Sequence, residues 1–295
     1  MTSNDSPVWL ITGCSTGIGR QIAIAALKKG YRVVLTARNS KTLTDLQAAY
    51  SEQSIAIDLD ITKPEQVKQA VAAADRAFGR IDVLVNNAGY GYLAAIEEGD
   101  ESEVRAMFET NFFGALATVR AVLPQMRQRR SGYIINISSQ AGLMSNPGTA
   151  FYSSTKFALE GLTEGLCREL APFGIRVSAV EPGPFRTDFS GRSLKQIKNP
   201  MDDYSATVGA RRAMIEAYHD SMPGDPRRAG EAIVALYDLA EPPLQLLLGR
   251  PVYEAYRKKL DGVIASLDKW ESVTLGADFT PEELASNRGQ VASEL

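Results

Sequence analysis

The chain has 295 residues, of which 44% are hydrophobic and 23% charged, and its formal net charge is −3. These values are typical of a soluble globular protein with a sizeable core, and they give no indication of nucleic acid or an anionic membrane as a partner. The N-terminus has no signal-peptide pattern and no stretch of about 18 residues is apolar, so we expect a cytoplasmic protein without a membrane span. The two cysteines lack metal-ligand spacing, so no metal site is expected.

The first predicted elements are a strand, a glycine-rich turn and a helix. Residues 8–12 form an apolar run, glycines stand at positions 13, 17 and 19, and apolar residues then follow at helical spacing. Such a turn lets the backbone approach a pyrophosphate at a helix N-terminus, although glycines also occur in turns that bind no ligand. In this context the pattern predicts a dinucleotide site.

The second predicted strand, residues 31–36, is followed by Ala37 and Arg38. A cofactor with a free ribose 2′-hydroxyl usually meets an acidic side chain at about this place. A guanidinium group can instead bind a 2′-phosphate with two hydrogen bonds. Arg38 therefore favours NADP(H) over NAD(H), the alternative being a solvated surface arginine.

Further strands are predicted at residues 55–60, 83–85, 132–137, 175–180 and 244–248, with helices between them. This alternation predicts an α/β fold, namely a Rossmann-type doubly wound parallel sheet of about seven strands with helices on both faces. A long helix is predicted at 102–128. Asn111 is a poor residue for its interior, so it either caps locally or binds a specific group.

Tyr152 and Lys156 stand four residues apart at the start of a predicted helix and share one of its faces. The ammonium group is expected to lower the pKa of the phenol from its usual value of about 10. Tyr152 would then exchange a proton near neutral pH as a general acid or base. The alternative is an ordinary pair on an amphipathic helix.

Together these motifs resemble the short-chain dehydrogenase/reductase family. The matching segments lie in the family's order at residues 12–19, 60–62, 86–89, 111, 138–139, 152–156 and 182–183. Residues 153–161 are also similar to the branch that contains steroid and retinol dehydrogenases. The resemblance implies a single nucleotide-binding and catalytic domain.

The resemblance implies four catalytic residues. Tyr152 would exchange the proton with the substrate oxygen, and Lys156 would lower the Tyr152 pKa and bind the nicotinamide ribose. Ser139, rather than Ser138, would hold the substrate oxygen. Asn111 would anchor a water in a proton relay.

The resemblance also implies an NADP(H) site. Asp60 and Ile61 would contact adenine, Asn87 would line the ribose side, and Thr187 would bind the carboxamide. The complete expected set is Gly13, Ser15, Thr16, Gly17, Ile18, Gly19, Arg38, Asp60, Ile61, Asn87, Ala88, Gly89, Tyr152, Lys156, Pro182, Gly183, Phe185 and Thr187.

We expect one domain, residues 1–295, with a substrate-lid insertion at about 188–225 and a polar tail at about 272–295. The alternative for the insertion is a solvated segment without substrate contact. The candidate pocket walls are aromatic or apolar residues near the site: Tyr90, Tyr92, Leu143, Met144, Phe185, Phe189, Met214 and Tyr218. His219, the only histidine, has no expected catalytic role.

The expected activity is NADP(H)-dependent hydride transfer between nicotinamide and a small-molecule secondary alcohol or ketone, or an aldehyde. One alternative is an epimerase or dehydratase on the same fold. Another is a non-catalytic NADP-sensing regulatory protein, although such proteins tend to lose catalytic groups that are present here. The resemblance further implies a homodimer or homotetramer formed through the helices that carry Asn111 and Tyr152.

Overall fold

The computed structural model of the chain describes residues 5–187, 193–218, 221–281 and 283–284. The chain divides into two compact units, Met1–Tyr253 and Glu254–Leu295. The expectation of one domain over residues 1–295, with a lid at 188–225, stays a prediction. None of the described helices combines the length and apolar character that a bilayer span requires.

The strands of the described chain all lie in the first unit. They are β1 (Val8–Ile11), β2 (Arg32–Ala37), β3 (Ser54–Asp58), β4 (Val83–Asn86), β5 (Gly91–Leu93), β6 (Gly132–Ile137), β7 (Ile175–Pro182), β8 (Leu194–Gln196) and β9 (Gln245–Leu248). Seven of them form a parallel sheet in the order β3-β2-β1-β4-β6-β7-β9. The strand order reverses between β1 and β4, where open parallel sheets bind ligands at the carboxyl ends of their strands.

The helices of the described chain are α1 (Gly17–Lys28), α2 (Thr44–Ala49), α3 (Pro64–Phe78), α4 (Glu101–Phe108), α5 (Ala115–Arg129), α6 (Gln140–Leu143), α7 (Ala150–Leu170), α8 (Ala210–Tyr218), α9 (Pro226–Ala235) and α10 (Arg250–Leu275). Pro64 stands in the first turn of α3, where its missing N–H costs nothing. Gly79 ends that helix with a left-handed φ of 79°.

Apolar side chains on the two faces of the sheet form separate cores. Successive side chains of β1 point to opposite faces. Trp9 and Ile11 therefore join the core beneath α1 and α9, whereas Val8 and Leu10 join the core beneath α3, α5 and α7. With both faces covered, β1 is buried along its whole length.

The predicted fold class is confirmed, but several predicted elements are changed. The single helix expected at 102–128 is interrupted by a π-helical turn, Glu109–Gly114, between α4 and α5. The strands β5 and β8 form a second parallel sheet that was not predicted. The last helix continues to Leu275, past the position at which a polar tail was expected to begin.

Candidate active site

The glycine-rich turn after β1 is fastened to the turn after β4. The Asn87 side-chain amide donates to the carbonyl oxygens of Thr12 and Gly13 at 2.9 and 3.0 Å. The Thr12 hydroxyl in turn accepts from the backbone N–H groups of Asn87 and Ala88 at 2.9 and 3.0 Å. Any Cβ at position 19 would overlap the Asn87 amide, which explains the glycine there. No sequence pattern indicates this role of the Thr12 hydroxyl.

The start of α1 fits a phosphate group. Gly17 opens the helix with a left-handed φ of 61°. The Thr16 side chain does not cap the helix, and the first turn contains no acidic residue. A helix N-terminus of this kind attracts anions. A Cβ at position 17 would lie 3.8 Å from the Thr187 Cβ, so this turn and the loop after β7 face each other.

The end of β2 presents an exposed arginine. Arg38 directly follows Ala37, the last residue of β2. The turn after it is held by the Asp58 carboxylate, which accepts from the Ser40 N–H at 2.6 Å. These hydrogen bonds from Ser40 hold the pKa of Asp58 below its usual value. The turn that carries the arginine is therefore fixed to β3.

The predicted adenine-contacting pair lies after β3. The Asp60 carboxylate accepts from the N–H and the hydroxyl of Thr62 at 3.0 and 2.7 Å. Ile61 is 5% exposed and packs against Gly114. A Cβ added to Gly114 would lie only 2.7 Å from the Ile61 Cγ1. These contacts fix the local backbone, and the contact with adenine stays a prediction.

Tyr152 lies near the start of α7 in an apolar cluster with Tyr92, Ala94 and Met107. Only 8% of its surface is exposed. Burial raises the pKa of Tyr152 to about 12, and a hydrogen bond with the Ser139 side chain opposes this rise. The expectation of a lowered Tyr152 pKa is therefore wrong for the chain by itself, because desolvation of the phenolate outweighs the other effects.

Lys156 lies beside the Tyr152 ring, with its Nζ atom 5.8 Å from the ring centroid. The ammonium group donates to the Ile137 carbonyl oxygen at 2.9 Å. Burial lowers the pKa of Lys156 to about 8, while the charge of Glu160 one turn away acts in the opposite direction. Lys156 is thus held by the end of β6, a contact that the sequence did not indicate.

The two serines after β6 have different surroundings. The Ser139 hydroxyl accepts from the Ala141 N–H at 3.0 Å and so caps the short helix α6. Its side chain also makes the hydrogen bond with Tyr152. Ser138 is 4% exposed and lies beside Gly142, where a Cβ would overlap its hydroxyl. The geometry brings Ser139 to the phenol and turns Ser138 into the interior.

Asn111 binds specific groups from within the π-helical turn. Its side-chain amide donates to the Tyr90 carbonyl at 2.8 Å and to the Thr155 hydroxyl at 3.0 Å. Its Oδ1 atom accepts from the Tyr90 N–H at 3.0 Å. Turns of this type occur often at functional sites. Asn111 therefore joins the loop after β4 to the helix that carries Tyr152, whereas its role in holding a water stays a prediction.

A pair of neighbouring carboxyl groups near Lys156, a half-buried Glu160 and a buried Glu181, was not predicted. Glu181 on β7 is fully buried, and its carboxyl group lies next to that of Glu160. Glu160 accepts from the Gln245 amide at 3.2 Å. Burial, followed by the nearby Glu160 charge, raises the pKa of Glu181 to about 8. The only sequence signals were the i,i+4 spacing of Glu160 from Lys156 and an acid in a predicted buried strand.

Most candidate pocket walls are packed against the chain itself. Tyr92 stacks on Phe151, with its hydroxyl accepting from the Asp100 N–H at 3.1 Å. The Phe185 ring packs against Gly224, where an added Cβ would lie only 2.5 Å from the Phe185 Cγ. Tyr90 lies under the Lys195 ammonium, 4.9 Å from the ring centroid.

The remaining candidates divide between interior and surface. Leu143 is buried and Met144 half-buried, whereas Met214 and Tyr218 are 40% and 59% exposed. Close packing favours glycine at position 183, because a Cβ there would lie 3.3 Å from the Val252 side chain. Phe189 and His219 lie outside the described residues.

The sequence matches known oxidoreductases over nearly its whole length. The family model for short chain dehydrogenase matches residues 7–198. The chain is 38% identical to oxidoreductase BOA17 of Botryotinia fuckeliana, over 92% of this chain and 98% of that protein. It is also 38% identical to human retinol dehydrogenase 8, over 80% of this chain and 79% of that protein.

Solved structures agree with these matches. A short-chain dehydrogenase from Streptomyces avermitilis is 44% identical and has a TM-score of 0.87, covering 93% of this chain and 99% of that one. A serine dehydrogenase complexed with NADP+ is 26% identical with a TM-score of 0.71, covering 82% and 94%. In this chain Ser139 and Lys156 both lie at Tyr152. The chain belongs to the short-chain dehydrogenase/reductase family of oxidoreductases.

Proposed function

We propose that the protein is an NADP(H)-dependent oxidoreductase that transfers a hydride between nicotinamide and a secondary alcohol or ketone, or an aldehyde. The observation that carries this proposal is the hydrogen-bonded Ser139–Tyr152 pair with Lys156 beside the phenol ring. A Cβ at Gly89, in the turn after β4, would be 3.7 Å from the Lys156 Nζ, and Asn87 of that turn is hydrogen-bonded to the carbonyl oxygens of Thr12 and Gly13.

In the direction of reduction, Ser139 and Tyr152 both donate hydrogen bonds to the substrate carbonyl oxygen. A bound nicotinamide supplies the hydride. Tyr152 gives its phenolic proton to the oxygen as negative charge develops there, and Ser139 stabilises that charge. With its pKa raised, Tyr152 is in the protonated form at neutral pH, so the proton that the reduction needs is present.

In the direction of oxidation, Tyr152 must accept the hydroxyl proton as a phenolate. Lys156, close to the ring, would stabilise that anion when charged, and a bound oxidised nicotinamide would supply further positive charge.

The preference for NADP(H) is supported by the end of β2. Arg38 is exposed there, and no acidic residue occupies position 37 or 38. The NADP+ complex of the related serine dehydrogenase is in line with this preference. We propose an apolar substrate, because Tyr152 lies in an apolar cluster and a retinol dehydrogenase is among the relatives.

Self-association through the helices that carry Asn111 and Tyr152 is also proposed. Two phenylalanines on these segments, Phe113 and Phe157, are 48% and 43% exposed. Exposed aromatic residues of this kind are enriched in protein interfaces.

The central test is Tyr152→Phe. The variant keeps the ring and loses the acidic proton, so we expect the rate of NADPH-dependent carbonyl reduction to fall at least about 100-fold. The NADPH dissociation constant, measured by fluorescence titration, is expected to change less than about twofold because the phenol proton is not needed for binding.

The matched control is Tyr237→Phe, which removes a hydroxyl on the other side of the sheet beside Trp9 and Tyr31. It is expected to keep the wild-type rate. A Tyr152→Phe variant with a near-normal rate would remove Tyr152 from the role of acid. NADPH binding by the wild type without turnover of any ketone or aldehyde would favour the regulatory alternative.

Cofactor choice is tested with Arg38→Asp. The carboxylate repels a 2′-phosphate, so the ratio of kcat/KM for NADPH over NADH should fall at least about tenfold, as a charge-assisted hydrogen bond contributes about 1.5–3 kcal/mol. Lys68→Asp, an exposed charge reversal on α3, serves as the control. If the NADPH over NADH ratio is unchanged in Arg38→Asp, a group other than Arg38 binds the 2′-phosphate.

A further inference from the structure

The last helix carries an exposed row of apolar side chains. Every residue from 260 to 275 of α10 is exposed. Among them, Leu260, Val263, Leu267 and Trp270 are 39%, 44%, 61% and 53% exposed. A contiguous apolar row of this length on a soluble chain marks an interaction surface.

The spacing of this row is that of a coiled coil. Tyr253, Tyr256, Leu260, Val263, Leu267 and Trp270 follow one another in steps of three, four, three, four and three residues. A repeat of seven residues keeps a narrow seam facing one other helix along the whole length. We call the exposed part of this row, Leu260, Val263, Leu267 and Trp270, the α10 seam.

The charges on α10 argue for a protein partner and against a membrane surface. Its basic residues are Arg250, Arg257, Lys258, Lys259 and Lys269, and its acidic residues are Glu254, Asp261, Asp268 and Glu271. Helices that lie on membranes usually carry a polar face rich in lysine and arginine. The nearly balanced charge of α10 lacks that feature.

The flanking charges identify a second copy of the same helix, in the antiparallel direction, as the partner. In an antiparallel pair with Leu260 opposite Trp270 of the second copy, Val263 lies opposite Leu267. Arg257 of each copy then lies beside Glu271 of the other copy, which gives two ion pairs. In a parallel pair the same flanking positions would place Lys259 beside Ile264 and Ser266 beside Glu271, without any such pair.

We propose that α10 associates with α10 of a second copy of this chain as an antiparallel coiled coil, through the α10 seam and the Arg257–Glu271 pairs. The residues of this surface are different from those of the helices that carry Asn111 and Tyr152. The proposal is also independent of the cofactor and of the reaction. Pairing of this kind is isologous, since the same residues serve both copies.

The first experiment measures self-association of the full chain by sedimentation equilibrium. Leu267→Glu puts a charge in the middle of the seam, so the dissociation constant should rise at least about tenfold, as expected for a central apolar anchor. Ala265→Glu adds the same charge to the opposite face of the same helix and should leave the constant within about twofold. Equal association of the wild type and Leu267→Glu overturns the proposal.

Charge reversal tests the orientation. Arg257→Glu and Glu271→Arg should each weaken association, and the double variant should restore it, because the pair is re-formed with exchanged signs. If the double variant is as weak as the sum of the single variants, the antiparallel pairing is wrong.

Cross-linking gives an independent readout of the same geometry. In the antiparallel pair, position 266 lies opposite position 266 of the second copy. Ser266→Cys should therefore form a disulfide-linked dimer on oxidation, whereas Ser272→Cys, on the outer face, should not. Binding of the wild type to anionic phospholipid vesicles that is lost in Leu267→Glu, without any cross-linked dimer, would assign the seam to membranes and overturn the proposal.

Discussion

At the scale of the residue, burial decides the chemistry of Tyr152 and Lys156. Their four-residue spacing was readable from the sequence, and α7 does place Nζ 5.8 Å from the ring centroid. The spacing indicates only that Tyr152 has a charged neighbour, whereas both groups are almost completely buried at 8% and 4% exposure. Desolvation disfavours the charged form of each, so the pKa of Tyr152 rises and that of Lys156 falls.

Three further residues depend on contacts that the sequence did not indicate. Thr12, Glu160 and Glu181 all contribute to the site or its support, yet the motifs that contain or adjoin them did not indicate these contacts. Their partners lie 75 residues away for Thr12 with Asn87 and 85 residues away for Glu160 with Gln245. Contacts between residues so far apart in the sequence form only when the strands are aligned, so no local sequence pattern can predict them.

A pH profile tests the environment of Lys156. With a pKa of about 8, Lys156 is charged below pH 8 and loses its charge above it. If the charged form is needed for cofactor binding, kcat/KM for NADPH, which reports the enzyme before the cofactor binds, should be level below pH 8 and fall above it. The Glu160 charge raises the Lys156 pKa, so Glu160→Gln should move this fall to lower pH.

The control for that profile is Glu164→Gln, one turn further along α7. Glu164 is exposed and pairs with Arg168 at 2.5 Å, away from Lys156. Its profile is expected to coincide with the wild type. A Glu160→Gln profile that also coincides with the wild type would show that Glu160 does not act on Lys156.

At the scale of the element, the interruption between α4 and α5 positions Asn111. A regular helix over 102–128 was expected, and the π-helical turn Glu109–Gly114 shifts the residues after it around the axis. Asn111 then reaches both Tyr90 and Thr155. The poor helix propensity of asparagine was a correct signal of an irregular position, but it did not indicate which partners require it.

Glycines within helices provide a test of how tightly the elements pack. A Cβ at Gly114 would lie 2.7 Å from the Ile61 Cγ1, whereas a Cβ at Gly161 on α7 would meet nothing within 4 Å. Gly114→Ala should lower the free energy of unfolding by about 1–3 kcal/mol through overpacking. Gly161→Ala should raise it by about 0.5–1 kcal/mol, because alanine is the better helix former.

Urea unfolding of the two variants beside the wild type measures both effects. The variants make the same change in a helical glycine, so each is the control for the other. A loss of stability in Gly161→Ala, or none in Gly114→Ala, would contradict the difference in packing between the two positions.

At the scale of the whole molecule, the parallel sheet gathers the site. The glycine-rich turn follows β1, Asn87 follows β4, Ser139 follows β6 and Thr187 follows β7, so all lie at the carboxyl edge. A buried network behind that edge joins the strands to their helices. Asn86 on β4 donates to Asn136 on β6 at 2.9 Å, and Asn136 donates to Thr163 on α7 at 2.9 Å.

The sequence by itself determined the fold class, the order of the motifs along the chain and the residue types of the site. Apolar runs, glycine turns and helical spacing act over a few residues, and the crossover rules then leave few arrangements for alternating strands and helices. The second small sheet β5–β8, the carboxyl pair near Lys156 and the direction of the pKa changes were decided by tertiary structure. Each depends on desolvation or on contacts between distant segments, which no local pattern encodes.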